Sequence, residues 1–108
     1  MISMQEFKRL DLRVGQINQA EPIRGARRLL KVQVDLGGEQ RTLVAGLAAN
    51  YTPEQLIGLK VIVVANMEPA TICGVLSQGM MLGTGCSDGQ DIALLTTSKE
   101  VSNGTPVE

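Results

Sequence analysis

The sequence contains no histidine and no tryptophan, and its aromatic side chains are one phenylalanine and one tyrosine. Without imidazole the chain cannot form a Ser-His-Asp triad, a Cys-His pair or a histidine-ligated metal centre. Because Phe7 and Tyr51 are the only aromatic rings, a cleft that stacks several unpaired bases in succession cannot be built either. These absences exclude most hydrolases and the binders of loose, stacked single strands.

Cysteine is almost as scarce. Cys73 and Cys86 allow one disulfide at most, and together they could supply only half the ligands of a four-coordinate zinc site. Asp88 and Asp91 share one turn and fall far short of the oxygen shell that calcium requires. We therefore expect no metal and no cofactor, and we expect both cysteines to be inert buried thiols.

We expect no secretory signal peptide, because the first residues lack a basic segment followed by an apolar run. The uncharged stretch from Pro69 to Ser87 has the length of a membrane span, but its glycines and polar residues favour strand and tight loop. These features predict a cytoplasmic protein that does not associate with membranes. The length of 108 residues predicts one domain over positions 1–108, and Met1 directly before a predicted helix favours a free-standing protein.

A formal net charge of −1 conceals an asymmetry. Positions 1–60 carry nine Lys or Arg against six Asp or Glu, which gives +3, whereas positions 61–108 carry one against five, which gives −4. Five basic residues fall between positions 24 and 41, namely Arg24, Arg27, Arg28, Lys31 and Arg41. This pattern is compatible with a positive binding patch or with an ordinary solvated face.

Two short helices are predicted by their capping boxes. Ser3 to Glu6 has the first, and the helical spacing of apolar residues predicts an end near Leu10. Thr52 to Gln55 has the second, with a proline at the first helical position and Gly58 just beyond the end. The second helix is expected to lie between the third and fourth strands.

Strand patterns fill most of the remaining chain. Leu12 and Val14 alternate with polar residues, and the apolar phase then moves to Ile17, which predicts a bulge at Gly15. The β-branched run from Lys60 to Asn66 predicts a strand that is buried on both faces.

A hairpin is the clearest strand prediction. Leu30 to Leu36 alternates apolar with polar residues, Gly37-Gly38 suits a tight turn, and Gln40 to Ala45 is the expected partner. Further strands are predicted over Gly79 to Leu82 and Ile92 to Thr96. Five or six short strands with a small helix after the third indicate an all-β protein with an OB-fold, a five-stranded Greek-key barrel.

Five segments in a fixed order resemble a known family. They are Asp11 to Gly15, Leu29 to Gly37, Tyr51 to Gly58, Val63 to Asn66 and the Ser-Gln-Gly-Met motif of Ser77 to Met80. They are similar to the tRNA-binding domain found at the C-terminus of many bacterial methionyl-tRNA synthetases and as a free-standing dimeric protein. The resemblance runs from about Phe7 to Val107. It implies an OB-fold with a C-terminal extension, which binds tRNA by shape near its outer corner and catalyses nothing.

The resemblance also implies a binding face and partners. It assigns tRNA contacts to Lys31, Gln33, Arg41, Asn66, Ser77 and Met80, and the charge pattern adds Arg24, Arg27 and Arg28. The implied partners are tRNA, an aminoacyl-tRNA synthetase of the methionyl type, and a second copy of the chain. A homodimer is also indicated by apolar residues in excess of what a small barrel buries, at Met1, Ile2, Met4 and along Ile72 to Leu82.

Three positions, in two segments, depart from the family's pattern. Pro69-Ala70-Thr71 stands where the family usually has Pro-Arg-Lys, and Leu76 stands where it usually has a glutamate. Fewer phosphate contacts lower the affinity for RNA, unless the three arginines at positions 24, 27 and 28 compensate. The family also includes a secretion-associated chaperone-like protein, so peptide binding by an apolar groove around Ile72 to Leu76 is the alternative function. A dimerisation module without a ligand is a third.

Overall fold

Antiparallel strands dominate the computed structural model, which describes residues 1–108. In chain order the elements are α1 (Met4–Phe7), β1 (Leu12–Ile23), β2 (Ala26–Asp35), β3 (Gln40–Ala45), α2 (Pro53–Leu56), β4 (Lys60–Val64), β5 (Ala70–Ile72), β6 (Val75–Ser77), β7 (Met80–Met81), β8 (Gly83–Thr84) and β9 (Ala93–Leu94). The main sheet has the order β3-β2-β1-β4-β7, and β5-β6 and β8-β9 form two small hairpins.

The last residue of β6 and the residue after it close the main sheet into a barrel. The backbone N–H of Gln78 donates to the carbonyl of Thr42 on β3 at 2.8 Å, and the backbone N–H of Val44 donates to Ser77 Oγ at 3.0 Å. These bonds satisfy the edge of β3 that faces away from β2. The all-β, five-stranded OB-fold predicted from the sequence is confirmed.

The barrel core follows the alternation predicted for β2. Leu30, Val32 and Val34 are almost completely buried, and Val32 faces Leu43 across the β2-β3 ladder. Gly37 and Gly38 form the hairpin turn with φ of 78° and 108°, a backbone conformation that favours glycine. The side chains between the buried positions of β2 therefore point away from the core.

Gly15 lies in a regular part of β1, so the predicted bulge at this position is wrong. The ladder with β4 is uninterrupted from Leu12 to Gln16, and the register shift against β2 lies between Ile17 and Gln19. A Cβ on Gly15 would stand 2.5 Å from Val34 Cγ1. The apolar phase changes because both faces of β1 are buried here, and the glycine allows close packing against β2.

The C-terminal segment completes the hydrogen bonding of β1. Val14 donates its N–H to Thr105 O, and Val107 donates to Leu12 O, on the side of β1 that β2 leaves unpaired. Asn103 anchors this segment, since its side chain accepts from Lys60 Nζ and donates to Gln16 Oε1 and Asp35 Oδ2. The predicted C-terminal extension thus packs as an added edge of the barrel.

Both predicted helices are present with their capping boxes intact. Ser3 Oγ accepts from the N–H of Glu6, and Thr52 Oγ1 accepts from the N–H of Gln55. The first helix ends at Phe7, earlier than predicted, and single hydrogen-bonded turns continue to Leu10. Neither helix has the length and apolar character needed to cross a bilayer.

The two cysteines are exposed and unpaired, which contradicts the prediction of buried thiols. Cys73 forms the β5-β6 turn with Gly74 and has a φ of 49°. Cys86 follows β8 in a loop that also contains two glycines with positive φ. In both cases the turn geometry places an apolar residue at the surface.

Candidate nucleic-acid interface

Three arginines project from the tip of the β1-β2 hairpin. Ile23 pairs with Ala26 around the turn, whereas Pro22 pairs with Leu30, so residues 27–29 have no partner on β1. This irregularity, together with Gly25 at a φ of 81°, leaves the tip outside the regular β1-β2 ladder. We call residues 24–28 the arginine loop. All its arginines, at positions 24, 27 and 28, are exposed and form no ion pair.

Lys31 and Gln33 follow the arginine loop along β2 and lie on the outer face of the strand. Both are partly exposed, because they alternate with the buried positions of the strand. Lys31 Nζ lies 3.5 Å from Glu21 Oε1, and Gln33 Nε2 donates to Thr42 Oγ1 at 2.9 Å. A solvated pair of this kind is worth little, so a phosphate oxygen can replace Glu21.

The side chain of Arg41 is directed at the seam of the barrel, where it forms hydrogen bonds within the protein. Its Nη1 donates to the carbonyls of Ala65 and Gln78 at 2.8 and 3.0 Å, and its Nε donates to Glu39 at 3.2 Å. The side chain therefore joins β3 to the end of β4 and to the segment that closes the barrel. Only 23% of the Arg41 side chain is exposed, so its role as a tRNA contact remains a prediction without geometric support.

Asn66, which is exposed, and Ser77, which is buried, also form hydrogen bonds to other segments of the chain. Asn66 accepts from the N–H of Asp11 at 2.8 Å and donates to the carbonyl of Arg9 at 2.7 Å. Ser77 is buried and accepts from the N–H of Val44. We interpret both residues as positioning residues, which hold the N-terminal segment and the barrel seam.

The predicted site residues therefore fall into separate groups. The arginine loop, Lys31 and Gln33 all belong to the β1-β2 hairpin. Met80 is exposed on β7, which pairs with β4 and lies next to β3 where the barrel closes. No three metal-ligating side chains of the His, Cys, Asp and Glu types come close enough together to hold an ion.

The sequence patterns did not reveal Asn50 and Tyr51 as organisers of a neighbouring loop. Asn50 donates to the carbonyl of Gly89 at 3.2 Å and accepts from the N–H of Ile92 at 3.0 Å. The hydroxyl of Tyr51 accepts from the N–H of Leu94 at 3.2 Å. No local pattern could have revealed these contacts, because the partners are about 40 positions apart in the chain.

A cluster of alternating charges lies at one end of the barrel. Arg13 donates to both carboxylate oxygens of Asp11 at 3.0 and 2.8 Å and reaches Glu39 at 3.1 Å. The hydrogen bonds from Arg13, with its positive charge and that of Arg41, hold the pKa of Asp11 below its usual value despite partial desolvation. Glu39 extends the cluster to Arg41.

This lowered pKa predicts a specific dependence of stability on pH. Since Asp11 binds its proton more weakly in the folded state, its stabilisation is complete above the unfolded pKa of 3.8 and is lost as pH falls through the folded pKa. Asp11→Asn should make the free energy of unfolding fall less steeply below about pH 4. Urea titrations at pH 7 and pH 3 measure this, with Glu54→Gln, an exposed carboxyl without an ion pair, as control. Equal pH profiles for the wild type and Asp11→Asn would contradict it.

Comparisons with known proteins agree with this architecture. Residues 12–106 match the family model described as "Putative tRNA binding domain". The methionine–tRNA ligase of Methanocaldococcus jannaschii is 44% identical over 106 residues, which cover 98% of this chain and 16% of that protein. The chain thus spans about a sixth of that relative's length.

Two solved structures superpose over the whole chain. A MetRS related protein from Pyrococcus horikoshii has a TM-score of 0.91 and 37% identity, and the match covers 100% of this chain and 98% of that one. The chaperone CsaA from Bacillus anthracis has a TM-score of 0.90 and 30% identity, with coverage of 100% and 99%. By sequence and by structure, this chain belongs to the tRNA-binding domain family.

Proposed function

We propose that this chain is a non-catalytic module that binds folded tRNA through the arginine loop and the adjoining outer face of β2. The observation that carries the proposal is the set of three exposed arginines without acidic partners at the hairpin tip. A guanidinium without an internal partner can bind a phosphate without first breaking an ion pair.

The distribution of paired and unpaired cations supports this location. Four of the ten basic residues form ion pairs within the chain, namely Arg13, Lys31, Arg41 and Lys60. Of the six others, three lie in the arginine loop. Ala70 and Thr71, which replace the family's basic pair, are exposed and neutral on β5, so phosphate contacts depend on the loop.

The proposal also covers the partner protein, the cellular location and the domain organisation of the chain. The named function of the curated relatives supports association with an aminoacyl-tRNA synthetase of the methionyl type, in cis or in trans. We place this activity in the cytoplasm, where tRNA is aminoacylated, and we propose that residues 1–108 act as one domain in protein biosynthesis. The module is proposed to need no cofactor.

Binding should prefer folded tRNA to unstructured RNA. Phe7 and Tyr51 are both partly buried, so few rings are available to stack loose bases, whereas folded RNA presents an ordered array of phosphates and 2′-hydroxyls. Fluorescence anisotropy should show tRNAs of several acceptor types binding about tenfold or more tighter than polyuridylate of equal length. Tighter binding to polyuridylate, or to an unfolded polypeptide, would instead favour a chaperone function.

We also propose a homodimer, because the N-terminal segment leaves its apolar side chains in solvent. Met1, Ile2 and Met4 are largely exposed, and α1 buries none of its residues. Light scattering should report twice the 11.5 kDa monomer mass at micromolar concentration. Met4→Lys should shift the protein towards monomer, whereas Ile57→Lys, an exposed apolar position away from this segment, should not. A monomeric wild type would refute the homodimer.

A further inference from the structure

A groove of about 500 Å³ opens beside the arginine loop, between the ends of β2 and β3 and the segment over residues 86–94. Leu47 and Ile92 are buried in its apolar floor. Arg28, from the arginine loop, and Asp88, from the segment over residues 86–94, both line the groove. The volume falls within the range of about 300–1,000 Å³ that is typical of small-molecule sites.

The far wall of this groove is held in place by the connection between β3 and α2. The hydrogen bonds of Asn50 to residues 89 and 92, and that of the Tyr51 hydroxyl to residue 94, hold the part of this wall from residue 89 to residue 94. Asp91 within it has a φ of 54°, a left-handed turn conformation that aspartate adopts more readily than most non-glycine residues. A preformed groove loses little conformational entropy when a ligand enters.

The two segments that line the groove contribute opposite charges, neither of which forms an ion pair. Arg28 forms no ion pair, and Asp88 accepts only the N–H of Gln90, at 3.0 Å from Oδ1. A complementary ligand has an anionic group at one end, a flat apolar body, and N–H donors at the other end. A nucleotide has these three parts in this order.

We propose that this groove is a subsite for one unstacked nucleotide of the bound RNA. Its phosphate lies on Arg28, its base covers the apolar floor, and the edge of the base donates to Asp88. Guanine fits best, because its ring N–H and amino group are adjacent donors with no acceptor between them. The subsite rests on the proposed function, and its position next to the arginine loop favours a polyanion over a peptide.

Small nucleotides test the subsite directly. In an NMR titration, guanosine 5′-monophosphate should shift the methyl signals of Leu47 and Ile92, because the base ring lies against them. Ribose 5-phosphate should shift only signals near Arg28, and uridine 5′-monophosphate should bind several-fold more weakly than the guanine nucleotide. Identical shifts with all three compounds, no shift at millimolar concentration, or shifts produced only by an apolar peptide would overturn the proposal.

A substitution that fills the groove with a large side chain tests whether the same subsite contributes to the binding of tRNA. Ala49 is exposed and lines the groove, whereas Ala93 is exposed and does not line it. Ala49→Trp should weaken tRNA binding about tenfold without changing its salt dependence, because it removes a base contact and no phosphate contact. Ala93→Trp should bind tRNA as the wild type does.

The outcomes separate the subsite from the proposed function. If Ala49→Trp binds tRNA as tightly as the wild type, the subsite is wrong and tRNA binding stands. If the wild type binds no tRNA, the proposed function fails, and the titration with guanosine 5′-monophosphate alone decides whether the groove takes a nucleotide.

Discussion

Replacing all three arginines of the arginine loop with glutamine is expected to weaken tRNA binding about 100- to 500-fold at 0.1 M salt. Each phosphate contact contributes a slope of about 0.7–0.9 in the plot of log affinity against log salt, so three contacts account for an affinity change of this size. The slope of the variant should be shallower by about 2–3 units. Anisotropy titrations between 50 and 300 mM salt, roughly the range in which counterion release is measured, give both quantities.

A matched variant separates the effect of contacts at the arginine loop from the effect of net charge on tRNA affinity. Lys8, Arg9 and Lys99 are exposed, form no ion pair and lie outside the arginine loop. Their triple glutamine variant loses the same three charges but should keep affinity within about threefold, since screening weakens charges beyond about 10 Å. Equal losses in the two variants, or none in either, would show that tRNA does not bind at the arginine loop.

Replacing Arg41 with methionine is expected to lower the free energy of unfolding by about 2–3 kcal/mol. Methionine replaces the aliphatic part of the arginine side chain but has no N–H to donate to the carbonyls of Ala65 and Gln78. The substitution also leaves Glu39 with one cationic partner instead of two. For a domain of this size, such a loss should lower Tm by about 10–20 °C. Urea unfolding and calorimetry measure the two quantities.

Arg28→Met is the control for this prediction, because it makes the same chemical change at an exposed side chain. Arg28→Met should leave Tm within a few degrees and weaken tRNA binding about tenfold. Arg41→Met should lower Tm but bind tRNA as the wild type does, when binding is measured well below the Tm of the variant. Weak tRNA binding by Arg41→Met with an unchanged Tm would show that Arg41 contacts RNA and does not hold the barrel seam.

The parts of the fold that were predicted correctly depend on contacts between near neighbours in the chain. Each capping box joins residues three positions apart, and the β2-β3 hairpin is set by Gly37-Gly38 and by the alternation of Leu30 to Leu36. Such contacts are visible in a short stretch of sequence, because the residues that make them lie within the same stretch.

The errors arose where the environment comes from distant segments. A change in apolar phase at Gly15 indicates a bulge only if one face of the strand is exposed, and β1 is buried on both faces at that point. Cys73 and Cys86 have apolar side chains, but the turns that contain them lie at the surface. Burial on the second face and the position of a turn depend on how the barrel closes.

For the candidate site too, the sequence predicted what depends on composition and local pattern, but not what depends on contacts between distant segments. Composition excluded histidine chemistry, the charge pattern selected the basic residues between positions 24 and 41, and the ordered motifs indicated the family. The sequence could not distinguish Arg28, which has no ion pair, from Arg41, whose guanidinium is bonded to two carbonyls of the barrel. The partners of Arg41 lie 24 and 37 positions away in the chain. A hydrogen bond forms only within about 3 Å, and closure of the barrel brings those carbonyls to Arg41 while leaving the arginine loop in solvent.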